Sequence, residues 1–280
     1  MKCHTTSITK NNKGDIHMET IAESKNKNCI DYKEKFKKVF NSLSSKYGKH
    51  TVWSDFVELY ALTLSEVYDK RFAIERNKRY IEIQKKYNIK EFTKFSDMFS
   101  FTASALDENT EQDFLGMLYV ELGLCDEAEL VRFLPYDAAK LLASIAYVEE
   151  KKSETPVRPI NITDFCCGSG CMLIAQANML KKDNINYQQE AVFYAQDIDK
   201  TAALMCYIQL ALLGIRAVIK IGNPLTDPFH NDEEFTTESH WITPMYYNTE
   251  TVNSSKIISA DNLLCFWMLT KLQNKFFNQQ

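Results

Sequence analysis

The chain has 280 residues and a mass of 32.4 kDa, with 45% hydrophobic and 25% charged residues, a balance that excludes wholesale disorder. No apolar run approaches the ~18–20 residues of a membrane span, the opening MKCHTTSITKNNKGD holds no signal-peptide core, and the eight cysteines include no CxxC pair; export, a disulfide framework and a zinc site are all disfavoured, and a reduced, cytoplasmic protein is expected. The formal net charge is −4, but residues 1–90 carry 19 Lys and Arg against 11 Asp and Glu, which leaves 14 against 26 for the rest, so the overall acidity does not exclude a nucleic-acid partner.

Glycine occurs only 8 times and all six prolines lie at or after Pro135, a distribution that predicts a helical first half and a mixed second half. Residues 1–45 are polar and aperiodic and read as a flexible tail with a short helix around Tyr32–Leu43. Residues 46–130 read as a helical N-terminal domain. There Trp53, Phe56, Val57, Tyr60, Leu64 and Val67 recur at three- and four-residue steps on one helix face. The stretch Arg71–Tyr87 is a second helix with Phe72, Tyr80, Ile83 and Tyr87 on its stripe, and Arg76, Lys78, Arg79, Lys85 and Lys86 crowding the remainder. Such a cluster is a solvated helix face or a set of phosphate contacts to DNA. Asp113–Leu124 is amphipathic in the same way, and Phe133-Leu134-Pro135-Tyr136 opens a helix over Asp137–Val148.

Residues 131–229 alternate. Ile160–Asp164, Ala191–Ala195 and Ala217–Ile221 read as strands, with helices Cys171–Leu180 and Thr201–Leu213 between them, the order of parallel βαβ units with right-handed crossovers. In residues 230–280, Trp241–Tyr246 is an aromatic packing or docking segment, Ser255–Ala260 a possible further strand and Leu263–Phe277 an apolar terminal helix. No internal repeat is visible.

Polar residues that could do chemistry gather at three consecutive strand ends. The first strand runs into Asp164-Phe165-Cys166-Cys167-Gly168-Ser169-Gly170 and a helix follows at once, so glycines can turn the backbone tightly against a ligand at a helix start. The second ends in Asp197-Ile198-Asp199, where a carboxylate can take both hydroxyls of a ribose. The third ends in Gly222-Asn223-Pro224-Leu225, where an amide can meet an adenine edge. Any one of these groups is also an ordinary helix cap or turn former; three in succession point to a nucleoside site. The five histidines are scattered, so no metal site is expected, and Cys166, Cys167 and Cys171 read as small core residues rather than a redox centre.

DFCCGSG, together with QDIDKTAALMCYIQLALLGI (Gln196–Ile215), GNPL and the upstream Arg132-Phe133-Leu134-Pro135, resembles the D-P-x-C-G-S-G motif and flanking motifs of class I S-adenosylmethionine-dependent adenine-N6 DNA methyltransferases, of the kind found as modification subunits of restriction systems. The resemblance covers roughly residues 50–225. It implies an α/β, Rossmann-like methyltransferase core behind a helical N-terminal region, with S-adenosylmethionine as cofactor and DNA as partner. It implies that Asp164, Cys167, Gly168 and Gly170 cradle the methionine end, that Asp197 holds the ribose, that Asn223 faces the adenine, and that Phe133 and Pro135 wall the pocket. Phe165 stands where the family has Pro, and Arg132 and Leu134 replace the Phe and Thr of its F-x-T-P segment. The Asn/Asp-Pro-Pro-Tyr/Phe motif that clamps the flipped adenine has no counterpart in the 280 residues; Asp227-Pro228-Phe229 lies only four residues beyond Asn223 and reads as a turn. The sheet is therefore expected to be truncated beside its first strand, with an edge open to a second subunit or to the terminal helix. Two functions stay open: an adenine methyltransferase whose catalytic residues are not legible, and an inactive cofactor-binding relative that completes or regulates a partner chain.

Overall fold

A computed structural model of the chain describes residues 6–10, 16–20, 31–126, 133–151, 159–230, 236 and 238–247. Two compact units are distinguished, residues 1–31 and 32–280. In the first, strands β1 (Thr6–Lys10) and β2 (Ile16–Thr20) pair antiparallel, Thr6 opposite Thr20 and Lys10 opposite Ile16. The β-branched Thr6, Ile8, Thr9, Ile16 and Thr20 favour this extended backbone, a departure from the expected tail.

The helix expected around Tyr32–Leu43 is present and runs on to Tyr47. Helix α1 (Tyr32–Tyr47) buries Phe36, Phe40 and Leu43, a three- and four-residue spacing in an otherwise polar segment, so part of the presumed tail belongs to the core. Gly48, at φ +85°, turns the chain into α2 (Lys49–Tyr68), and a 3-10 turn (Lys70–Phe72) leads to α3 (Ala73–Gln84). Helix α4 (Ile89–Glu108) was not foreseen. It opens with a capping box in which Asn88 and Glu91 satisfy each other's backbone N–H groups, and buries Phe95, Met98, Phe99, Thr102, Ala103 and Leu106. Helix α5 (Phe114–Glu121) closes the helical layer. At its centre Phe36 lies 5.1 Å from Phe56, 6.0 Å from Trp53 and 6.3 Å from Phe114, centroid to centroid, distances at which aromatic rings attract edge to face.

The second layer starts with α6 (Tyr136–Lys151) and continues β3 (Ile160–Asp164), α7 (Cys171–Lys182), the short α8 (Tyr187–Glu190), β4 (Ala191–Asp197), α9 (Lys200–Leu212), β5 (Ala217–Ile221), β6 (His240–Ile242) and α10 (Pro244–Tyr247). The described sheet has the order β3-β4-β5-β6, the first three strands parallel and β6 antiparallel to β5. Trp241, Ile242 and Met245 are buried, so the Trp241–Tyr246 segment is packing. Among the described residues β3 is an edge strand, with Ile160 and Ile162 buried and Asn161 and Thr163 exposed, as expected of the open side. Ser255–Ala260 and Leu263–Phe277 lie outside the described residues.

The fold is thus mixed α/β and mostly helical, with a four-stranded, mainly parallel sheet. The expected division near residue 130 does not divide the packing. In α9 every residue from Ala203 to Leu212 is buried, the mark of a helix enclosed on all sides; it contacts β4 and β5 on one side and α2, α4 and α5 on the other. One hydrophobic core runs through both regions.

No described helix is long and apolar enough to cross a membrane.

Candidate functional site

The C-terminal ends of β3 and β4, the loop between β3 and α7, and the Phe133-Leu134 segment enclose a cavity of about 490 Å³, within the range of small-molecule sites. Of the residues singled out from the sequence, Phe133, Asp164, Cys167, Gly168 and Asp197 line it.

The loop is held by hydrogen bonds from its own strand ends. Asp164 Oδ1 accepts from Cys166 N at 3.1 Å, the Cys167 N–H donates to the Gln196 carbonyl at 3.0 Å, and the Gly170 N–H returns to the Cys167 carbonyl at 2.8 Å. Gly168 takes φ +53°, and a Cβ there would meet nothing within 4 Å, so its backbone faces open space on the cavity side. Its N–H donates to Asp197 Oδ2 at 2.8 Å, while Asp197 Oδ1 accepts from Asp199 N at 2.9 Å. The second strand end therefore grips the first.

Three expected positions serve otherwise. Gly170, at φ +93°, is the N-cap of α7 and does not line the cavity; a Cβ there would stand 2.9 Å from Cys206 Sγ. Its missing side chain lets the loop lie against α9. Pro135 is exposed and borders a smaller neighbouring cavity of about 300 Å³, which shares Asp113, Phe133 and Leu134 with the first. Asn223 is not among the lining residues: its Oδ1 accepts from Leu225 N at 2.9 Å in a local turn, and Pro224 faces the cavity instead.

Asp227 ends a turn that starts at Asn223, its N–H donating to the Asn223 carbonyl at 2.8 Å, and Pro228-Phe229 follow without regular structure rather than forming the expected turn themselves. The buried Lys220 ammonium donates to Asp227 Oδ1 at 2.8 Å and to the Pro228 carbonyl at 3.2 Å, and the Phe229 ring packs 5.4 Å from Tyr194. A buried ammonium requires such partners.

The lining also includes residues that the sequence did not single out: Asp113 and Tyr119 from α5 and its cap, and Ile198, Asp199 and Met205 around α9. Asp199 caps α9, its Oδ1 accepting from Ala202 N at 2.9 Å. Four aspartates (113, 164, 197 and 199) line the cavity, with no Lys, Arg or His among the described lining residues. Burial pushes the carboxyl of Asp113 above the ordinary range, and burial together with the charge of Asp197 does the same for Asp164. Two of the thiols are held in the neutral form: the hydrogen bond with Cys206 and burial hold Cys167 well above its usual value, and burial pushes Cys171 up to about 12. No cluster of three His, Cys, Asp or Glu that could hold a metal occurs among the described residues.

Of the five cations of the basic helix only Arg76 is buried, which corrects the expectation of a phosphate contact for that residue; Lys86 stays exposed and Arg79 half-buried. Arg76 is 2% exposed; its guanidinium pairs with Asp69 at 3.2 Å, donates to the His240 carbonyl at 2.7 Å and lies 4.2 Å from the centre of the Trp241 ring. Arg79 forms a two-pronged pair with Glu58 at 3.0 and 2.8 Å, and Lys86 pairs with Asp55 at 2.8 Å. Lys78 and Lys85 are exposed. A buried carboxylate in reach of a long cation makes the ion pair, not solvent, the resting state of the side chain.

No curated protein and no solved structure matches the chain. Residues 131–262, just under half of it, match the model of the N-6 DNA methylase family, which bears out over that segment the adenine-N6 DNA methyltransferase resemblance carried by DFCCGSG and the strand ends.

Proposed function

We propose that the cavity binds S-adenosylmethionine in a Rossmann-like methyltransferase core, and that the chain acts on DNA as an adenine-N6 methyltransferase-type protein whose base clamp comes from a divergent segment or a second subunit. The observation that carries this reading is the charge of the cavity: four carboxylates around a Gly-Ser-Gly loop, with no cation among the described lining residues. Phosphorylated nucleotides would be repelled by such a wall, whereas a nucleoside with a sulfonium and an ammonium group is attracted to it. The remaining walls suit the rest of that molecule. Phe133, Leu134, Met172 and Met205 offer apolar surface, the Gly168 backbone lies open for close approach, and Asp197 stands where its oxygens can accept from ribose hydroxyls.

S-adenosylmethionine supplies a methyl group bonded to a positively charged sulfur, ready for a nucleophile. The residues of this chain orient it: Asp197 through the ribose, the Gly168 loop through backbone approach, and the carboxylates by favouring the cation. Nothing in Asp227-Pro228-Phe229 is available to hold an adenine, since the segment is engaged with Lys220 and Tyr194. This favours a cofactor-binding subunit or segment completed by a second subunit or by further polypeptide, over a self-sufficient enzyme.

Calorimetric titration with S-adenosylmethionine tests the assignment. Asp197→Ala is expected to weaken binding by about 1.5–3 kcal/mol, or roughly 10- to 150-fold, the range for hydrogen bonds to charged groups. Equal affinity in the two proteins would remove Asp197 from the site, and tight binding of ATP would contradict the charge argument.

A pH dependence follows from the raised carboxyl of Asp164. Protonation removes negative charge facing a cation, so affinity should fall as pH falls. Because this carboxyl is held above the ordinary aspartate value of about 3.9, the decline should begin at higher pH than an exposed carboxylate would give. Binding in the same window should release protons, which titrations in buffers of different ionisation enthalpy would detect; proton uptake would contradict the sign.

A further inference from the structure

We propose that Asp113, in the helical region before the family-matching segment, is a positioning residue that sets the shape of the Gly168–Gly170 loop, so that the helical region forms part of the cofactor site. The inference rests on the S-adenosylmethionine reading for its ligand, and on a closed hydrogen-bond network for its geometry.

Asp113 is 4% exposed. Its Oδ2 accepts from the Ser169 hydroxyl at 2.5 Å, and its Oδ1 accepts from Gly116 N at 2.9 Å and from Gln209 Nε2 at 2.8 Å. Gln209, fully buried in α9, completes the clamp: its Nε2 also donates to the Ser169 carbonyl at 2.8 Å, and its Oε1 accepts from Leu115 N at 3.1 Å. Ser169 is thus held through both its side chain and its backbone, and it is the residue between the two glycines of the loop. The same two side chains satisfy the first free N–H groups of α5.

Gly116 supplies an independent sign that this contact is built closely. A Cβ at residue 116 would overlap Asp113 Oδ2 and Ser169 Oγ, so only glycine lets α5 come this near the loop. A carboxylate and an amide removed from water and satisfied on every side have two consequences. They fix the groups around them, and any partner left alone is strongly disfavoured. Three elements therefore meet at one residue of the loop: α5 from the helical region, α9 from the core and the strand-to-helix turn itself. Asp113 also lines the cavity, but its oxygens are already occupied by these three donors, so it acts on the ligand through Ser169.

The experiment compares Asp113→Ala, Asp113→Asn and Ser169→Ala with the unaltered chain. It combines calorimetric titration with S-adenosylmethionine and S-adenosylhomocysteine and amide hydrogen exchange of residues 165–171 in the ligand-free protein. Asp113→Ala should weaken both nucleosides by a similar factor of at least about tenfold and speed exchange in the loop while leaving α1–α4 protected. Asp113→Asn should recover most of both properties. Its amide oxygen can accept from Gly116 and Gln209, and its amide nitrogen can donate to the Ser169 hydroxyl. Ser169→Ala, which removes a single hydroxyl, covers the case in which Asp113→Ala does not fold and should loosen the loop in the same direction. Loss confined to the sulfonium-bearing nucleoside would mean that Asp113 acts by its charge and would overturn the positioning role. Unchanged affinity and unchanged loop exchange in the alanine variants would overturn it as well. If the unaltered chain binds neither nucleoside, the functional reading fails, and the exchange measurement alone decides whether Asp113 shapes the loop.

Discussion

Arg76→Ala is expected to destabilise the fold by about 3–5 kcal/mol, the cost of removing one partner from a buried ion pair. The Asp69 side chain is fully buried, and Arg76 supplies one of its cations, Arg71 the other at 3.0 Å. Truncation would take away the fork that bridges Asp69 and the His240 carbonyl, and leave a void beneath Trp241. Arg76→Lys should not restore stability, because a point ammonium cannot replace a planar fork stacked on an indole. Urea denaturation measures the effect directly. A surface phosphate contact would change stability by about 0.5 kcal/mol or less, so a small shift in the midpoint would return Arg76 to the solvent side of its helix.

A loss of similar size, about 3–5 kcal/mol, is expected for Phe36→Ala. Phe36 is fully buried, within 6.4 Å of four other aromatic centroids, and joins α1 to α2 and α5. Alanine would leave a cavity the size of a ring in a cluster whose other members are anchored on three helices, where collapse is restricted. If residues 32–45 were a solvated tail, the substitution would cost almost nothing; thermal unfolding of the full chain distinguishes the two.

Both residues mark where sequence alone stops being legible. The second layer could be read almost element by element, since short apolar strands and helices alternate there, and Ile160–Asp164 and Ala217–Ile221 are strands with the expected bounds. Asp164, Gly168 and Asp197, singled out at the first two strand ends, do line one cavity, because consecutive parallel strands bring their C-terminal ends together. Helix α4 carried its own signs, a capping box at Asn88–Glu91 and apolar residues at 95, 98, 99, 103 and 106, but Lys, Thr and Ser interleave them and dilute the periodicity. Arg76 could not be distinguished from Lys78 by spacing, because its partner Asp69 sits across the start of the same helix and its other contact, His240, is 164 residues away. Asp113 was legible only as the start of the amphipathic stretch Asp113–Leu124, and nothing local tells that it caps the helix and faces Ser169 and Gln209. For Asn223 the unread partner is local: its oxygen accepts in a turn only two residues on.

The enclosure of α9 also bears on what can exist as a separate molecule. The segment matching the methylase family begins at residue 131, yet α9 lies against α2, α4 and α5 as well as the sheet. A polypeptide cut to that segment would bare the side of α9 formed to meet those helices, and would strand Gln209 without Asp113 and the α5 backbone. The recognisable half of this chain is accordingly not a module that could be moved by itself into another protein. Gene fusion or transfer that preserves function would have to carry the helices along with it, even though they lie outside the segment that matches the family.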